Sequence, residues 1–323
     1  MSATTLAPSA AAPPFPRASG ARKVKNNLAT VLVTLSFGVA LVPLIWLLWT
    51  VIGKGWHVVV HAGWWTGTQR NKTFSDAGGG ALHAIVGTLE QVALCTVISV
   101  PIAILVGVYL VEYGRGPLAR IATFMVDILT GIPSIVAALF IYAVFIASFG
   151  GRGSGWLVSL ALVILMVPVI VRTTEEMLRL VPNELREASY ALGIPKWKTI
   201  ARVVLPTAMT GLITGVVLGI ARVAGETAPL LILVGYSPDM NTNLFSGTQG
   251  TLPGMIYDQF INLNHATGAT AYHLDANGNR VAGAAANFAP DRMWGAALTL
   301  ILLVFLLNLI ARFVGRFSKV AGD

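Results

Sequence analysis

Residues Arg172–Pro206 read RTTEEMLRLVPNELREASYALGIPKWKTIARVVLP, a polar stretch set between two apolar ones. Pro182 lacks a backbone N–H and closes a helix, while Asn183 carries the short polar side chain that caps a new one. The spacing predicts a helix over Glu184–Leu192, with Leu185, Ala188 and Leu192 on one face and Glu184, Arg186 and Glu187 polar. Gly193 then stands where a helix ends in the left-handed conformation. Pro195, with Lys196 and Lys198, starts the return to apolar chain. The pattern is that of a short amphipathic helix lying on a membrane surface between two spanning helices.

Working outward, four apolar runs precede this stretch: Leu28–Ile52, Ala84–Val111, Ile121–Phe149 and Trp156–Val171. Two follow it, Thr207–Tyr236 and Met293–Phe313. A bilayer's hydrocarbon core takes about 20 residues of helix, and five runs meet that outright. The run Trp156–Val171 is short and spans only if its helix continues through Arg172 towards Leu180. Lipid offers the backbone no hydrogen-bond partner, so runs of this length are helices. The fold class is therefore an all-α integral membrane protein with six transmembrane helices. Composition agrees: 55% of the 323 residues are hydrophobic and 11% charged, against about 25% charged in a soluble domain.

The net charge of +8 invites a nucleic-acid reading, which the positions of the charges remove. If the N-terminus is cytoplasmic, 15 Lys and Arg fall in residues 1–27, 112–120, 172–206 and 312–323, and 6 fall in the opposite loops. This asymmetry predicts a multi-pass protein of the cell membrane with both termini cytoplasmic and no nucleic acid as partner. Residues 1–27, rich in Ala, Pro and Ser, are expected to form a disordered cytoplasmic tail. Arg22, Lys23 and Lys25 precede a first run too long for a signal peptide, so it is an uncleaved anchor. Residues 28–323 form one transmembrane domain with an extracytoplasmic insertion at about 237–290. Within it, Asn277-Gly278 predicts a hairpin turn between Tyr272–Leu274 and Arg280–Ala282. Trp46, Trp49, Trp56, Trp64, Trp65 and Trp156 crowd the outer ends of spans, where amphipathic rings anchor.

Chemistry is sparse. There is no Walker A sequence, no G-x-S-x-G elbow and no H-E-x-x-H pair. His265 and His273 lack metal-ligand spacing, and Asp275–Asn279 lacks the Gly and the Glu of a calcium loop. The single Cys95 forms no internal disulfide and is expected to pack as a small hydrophobe. The expectation is a chain with no catalytic centre, metal or cofactor of its own, driven by energy from elsewhere.

The stretch Glu187-Ala188-Ser189, three residues, Gly193, nine residues and Val203-Val204-Leu205-Pro206 resembles the EAA loop of permease subunits of ATP-binding-cassette importers. Ser189 replaces an Ala and Val203 an Ile of that pattern. Val171–Leu178, Ala221–Leu230 and Gly131-Ile132-Pro133-Ser134 resemble signatures of the phosphate-specific permeases, the A subunit in particular. The resemblance implies the type I importer fold, with Glu187, Ala188, Ser189 and Gly193 on a cytoplasmic coupling helix that docks on an ATPase. It also implies the partners: a second, C-type permease subunit, two ATPase subunits that bind ATP and Mg, and an extracytoplasmic phosphate-binding protein. Molybdate or sulfate is the alternative cargo, because the loop is shared among importers. A solitary ion-coupled carrier fits less well, since neither an internal repeat nor a coupling site is evident.

A charge at mid-bilayer costs at least ~2.5–3.5 kcal/mol, so each one there faces a partner or a watery path. Arg222 and Glu226, four apart, are expected on one helix face within salt-bridge reach. They are either a pair that only orients helices or a cationic station for an oxyanion, where the planar guanidinium meets phosphate bidentately. In the second case Glu226 holds Arg222 between passages, and Pro229 breaks the helix just beyond. Arg172 is either a snorkelling residue or part of the substrate path, with Thr173 and Thr174 as hydroxyl donors. Glu90 and Asp127 lie near the ends of their runs and are expected to be solvated.

Overall fold

The computed structural model describes residues 20–265, 270–274, 280–284 and 287–317. The chain divides after Thr50 into two compact units. The first comprises, as described, residues 20–50, all helical and with no buried side chain. Their helix, α1, runs Gly20–Val59 and so takes in Arg22, Lys23 and Lys25, which the sequence reading had placed in the tail. Residues 1–19 of that tail lie outside the described residues.

In the second unit, α2 (Ala62–Thr66) is followed by α3 (Leu82–Val108), which runs on through a π-helical turn at Tyr109–Tyr113. Next come α4 (Pro117–Gly131), α5 (Ser134–Ile141), α6 (Gly155–Arg179), α7 (Asn183–Ala191) and α8 (Lys196–Thr199). The π-helical turn Ile200–Val204 joins α8 to α9 (Leu205–Ala224), and α10 (Ala228–Leu233), α11 (Leu252–His265) and α12 (Ala289–Phe317) complete the helices. Strands β1 (Thr270–Leu274) and β2 (Arg280–Ala284) pair antiparallel where strands were expected, but Leu274 stands opposite Arg280, one residue out of the register of a two-residue Asn277-Gly278 turn, which sets Leu274 opposite Val281. The turn itself lies outside the described residues.

Among the described residues, five helices are long and apolar enough to cross a membrane, and a bent pair makes a sixth if counted as one span. The short fourth run does continue, to Arg179. The third run is not one straight helix: α4 and the segment Ser134–Ser148 meet at 108°. The cause is local. Pro133 has no N–H and pushes Ile132 out of the helical region, and both residues are extended (ψ 125° and 141°). The fifth run is also broken. α9 stops at Ala224, and Pro229 sits in the first turn of α10 rather than ending the helix before it.

α6 lies at the centre. Leu157, Leu162, Leu165, Met166 and Ile170 are buried on it, and Cys95 and Ala103 of α3 pack against them. Cys95 is the packed thiol expected, 3.6 Å from both Ser99 and Met166. Between helices in lipid, close packing rather than escape from water supplies the attraction, so small side chains mark the contacts. On α9, Gly211, Gly215 and Gly219 face α6: a Cβ on Gly215 would lie 2.5 Å from Thr173, and one on Gly211 would lie 2.1 Å from Met177. Trp64 departs from the interfacial reading, being buried with Leu252, Met255 and Leu298 and donating its indole N–H to Thr299 (2.8 Å). Trp46, Trp49, Trp56 and Trp65 are exposed.

Candidate functional site

The residues singled out in the sequence fall into two groups. The first is α7. Its helix ends where Gly193 takes φ +74°, and the amides of Leu192, Gly193 and Ile194 return to the carbonyls of Ala188, Tyr190 and Ser189. A side chain at Gly193 meets no neighbour, so the backbone conformation alone demands glycine there. Ser189 is buried and shares a hydrogen bond with Thr199 of α8 (2.8 Å). Glu187 and Ala188 are exposed.

The amphipathicity of α7 is inverted with respect to its own protein. Leu185 is exposed and Leu192 is 79% exposed, whereas the polar Arg186 and Ser189 face inward. Arg186 is the residue the sequence reading passed over as merely polar. Its Nε and Nη2 donate to Glu112 Oε1 at 3.1 and 2.9 Å, and the guanidinium also donates to the carbonyls of Leu178 and Val181 and to Asn183 Oδ1. The two side chains are 12% and 6% exposed, a desolvated ion pair joining the ends of α3, α6 and α7. Lys196 adds to this corner, donating to the Glu112 carbonyl and standing 4.5 Å over the Tyr113 ring. No sequence spacing links Glu112 to Arg186, which lie 74 positions apart.

The second group comprises the charges along the spans. Arg172 donates Nη1 to Glu175 Oε2 (2.6 Å) and Nη2 to Asp127 Oδ1, so Asp127 is paired across to α6 rather than simply solvated. The hydroxyl of Thr173 donates to the Val169 carbonyl of its own helix (2.9 Å), and that of buried Thr174 has no partner among the described residues. Arg222 and Glu226 are not a pair. Helix α9 ends between them, and no ion pair joins them among the described residues. Arg222 ends an exposed stripe of α9, Thr207, Thr210, Thr214, Leu218 and Arg222, on residues other than the glycines that meet α6. Glu226 stands in the break and lines a small cavity with Thr88, Gln91 and Thr251, of about 10 Å³, room for about one water. Glu90 is not free in solvent: it accepts from Gln249 (2.5 Å), which in turn accepts from Gln91 (2.8 Å). Beyond the spans, burial pushes the Asp258 carboxyl above its ordinary value.

A sequence model of the family described as binding-protein-dependent transport system inner membrane component matches residues 99–319, two thirds of the chain. The chain belongs to this family. As a binding-protein-dependent transport component it is a multi-pass membrane protein of an ATP-binding-cassette importer. A similar relative is the phosphate transport system permease protein PstA 1 of Mycobacterium tuberculosis, 50% identical over 91% of this chain and 89% of that one. The PstA protein of Pasteurella multocida is 38% identical over 90% of this chain and 94% of its own. Among solved structures, a chain of a bacterial alginate importer in complex with its periplasmic protein aligns with a TM-score of 0.60 at 14% identity, covering 91% of this chain and 96% of that one. A chain of the inward-facing methionine importer MetNI aligns at 0.52 and 21% identity, covering 74% of this chain and 94% of its own. These likenesses give this transport component the type I importer permease fold.

Proposed function

We propose that this chain is one of two permease subunits of an ATP-driven phosphate importer. α7 is its coupling helix, and α9 carries its part of the anion path. The observation that carries the class is α7 itself, a helix fixed from beneath by a buried ion pair while its apolar residues point away from the protein. A helix so built needs a cover, and a groove in a separate cytoplasmic ATPase fits it. Names of relatives 50% identical to this chain carry the cargo. The exposed stripe ending in Arg222 needs a second, related permease opposite it, because a cation facing lipid alone is costly. Two ATPase subunits bind ATP and Mg, an extracytoplasmic protein delivers phosphate, and both termini lie in the cytoplasm, in keeping with the placement of basic residues. No nucleotide site, metal or cofactor belongs to this chain on this reading.

Arg222, Arg172 and Thr173 are assigned to the path and Glu226 to its wall. The guanidinium suits phosphate because it stays charged at any biological pH and offers a planar fork. The test is uptake of labelled phosphate, sulfate and molybdate in a strain lacking this chain and restored with it. Restoration of phosphate uptake alone is expected; restoration of molybdate or sulfate uptake instead would reassign the cargo.

A further inference from the structure

Three charged groups meet where α4 crosses α6. Arg172 holds Glu175 three residues along its own helix and Asp127 on α4, in the only ion pair among the described residues that ties α4 to α6. The two carboxylates differ sharply in their surroundings. Glu175 is 6% exposed, Asp127 59% and Arg172 32%. Buried Glu175 needs Arg172 permanently, because a carboxylate out of water without its cation is strongly unfavourable. Asp127 can pass into solvent at little cost, since a half-exposed acid is rehydrated when its pair opens.

The sum of charges also matters. One guanidinium between two carboxylates leaves the cluster at net −1, which repels an approaching oxyanion. With Asp127 swung away the cluster is neutral. Among the described residues, two of the guanidinium's five N–H donors are engaged in the closed arrangement, and opening returns one of them. Asp127 also stands five residues before Ile132, where the chain turns through 108° between α4 and the segment after it.

We propose that Asp127 is a tethered anion that occupies Arg172 between transport events, so that phosphate and Asp127 compete for the same guanidinium. Glu175 is the permanent partner that keeps the guanidinium aimed. The inference rests on the assignment of Arg172 to the phosphate path. It adds a positioning residue that makes the path self-closing when no phosphate is present.

The experiment uses the complete transporter reconstituted in phospholipid vesicles preloaded with labelled phosphate, without ATP. Asp127→Asn is expected to assemble in parental amount and to leak phosphate about fivefold faster, the upper range for a partly exposed ion pair. Asp127→Glu is expected to stay tight. A Cys95→Ser, Asp127→Cys variant separates charge from shape. A sulfonate-bearing thiol reagent is expected to restore the seal, and a neutral methylating thiol reagent to leave the leak. An Asp127→Asn transporter that is as tight as the parent, or equal effects of the two reagents, would overturn the proposal. So would failure of Asp127→Asn to assemble, which would make the pair a structural tie. Arg172→Gln, assayed for ATP-driven uptake in parallel, distinguishes the two levels: parental uptake by the assembled variant removes Arg172 from the path altogether, whereas impaired uptake beside a tight Asp127→Asn removes only the tether.

Discussion

Replacing Arg186 by Met should cost this protein more stability than any exposed substitution on α7. The change keeps the unbranched apolar stem and removes the guanidinium with its charge and its donors. It withdraws both donors from Glu112, whose side chain is 6% exposed, and the donors to the Leu178 and Val181 carbonyls. Breaking a buried pair by removing one partner costs about 3–5 kcal/mol, mostly because the other charge is left uncompensated. Glu112→Gln should cost less, about 1.5–3 kcal/mol, since an acceptor remains and Arg186 keeps its carbonyls. The decisive variant is Arg186→Met with Glu112→Leu. Without a charge to orphan, the double variant should be more stable than Arg186→Met alone, an inversion that simple loss of contacts does not give. Unfolding of the purified subunit by SDS titration reads all three. Were Arg186→Met to fall within about 0.5 kcal/mol of the parent, the range of an ordinary surface change, the clamp would be energetically idle. Were the double variant less stable than Arg186→Met, the orphaned-charge argument would be wrong.

Ala188→Glu places a charge on the exposed face of α7 without touching Arg186 or Ser189, so the permease should stay in the membrane while the ATPase no longer co-purifies. Normal co-purification and normal uptake would exclude this face as the docking surface. In a Cys95→Ser background, cysteine at exposed Phe245 should react with an impermeant reagent from outside the cell, and cysteine at exposed Leu192 only from the cytoplasm. Labelling of both from one side would mean that Lys196–Ala224 does not cross the membrane, and labelling with the two sides exchanged would mean that the broken α4–α5 pair does not. Gly215→Leu should destabilise the α6–α9 contact, because even a Cβ there meets Thr173 at 2.5 Å, and overpacking of this kind costs about 1–3 kcal/mol. Parental thermal stability of that variant would show that α9 can back away from α6 freely.

The spans were legible because each is a long run with few charges, and a run that must satisfy its own backbone in lipid has one solution. α7 was legible for a different reason: Pro182 and Gly193 punctuate it locally, and the helix Asn183–Ala191 lies within a residue of the expected ends, although Asn183 is its first residue rather than its cap, Pro182 holds the cap position, and the Asn183 side chain accepts from Arg186 instead. The breaks were harder. Pro133 was visible as part of a signature but not weighed as the stop that bends the chain, and the end of α9 at Ala224 is marked only by Gly225. The expected Arg222–Glu226 pair failed on that point, since four residues share a helix face only while the helix lasts. Pairings across the fold, Arg186 with Glu112, Arg172 with Asp127 and Gln249 with Glu90, left no trace in spacing. They depend on where helices cross, which hydrophobic patterning alone does not encode. The seam Gly211, Gly215 and Gly219 did carry a readable signal, small residues at every fourth position facing a neighbouring helix.

The central claim is that this chain, with partners that hydrolyse ATP, moves phosphate through a path that uses Arg222. Its most direct test is accumulation of labelled phosphate by vesicles containing the reconstituted transporter and its binding protein, with the parental chain and with Arg222→Gln assembled in equal amount. The parental vesicles should concentrate phosphate only when ATP is supplied on the α7 side, with excess sulfate without effect, and Arg222→Gln should hold its ATPase yet fall nearly to background. Phosphate accumulation by Arg222→Gln at the parental rate, or none by the parental transporter with ATP present, would contradict the account.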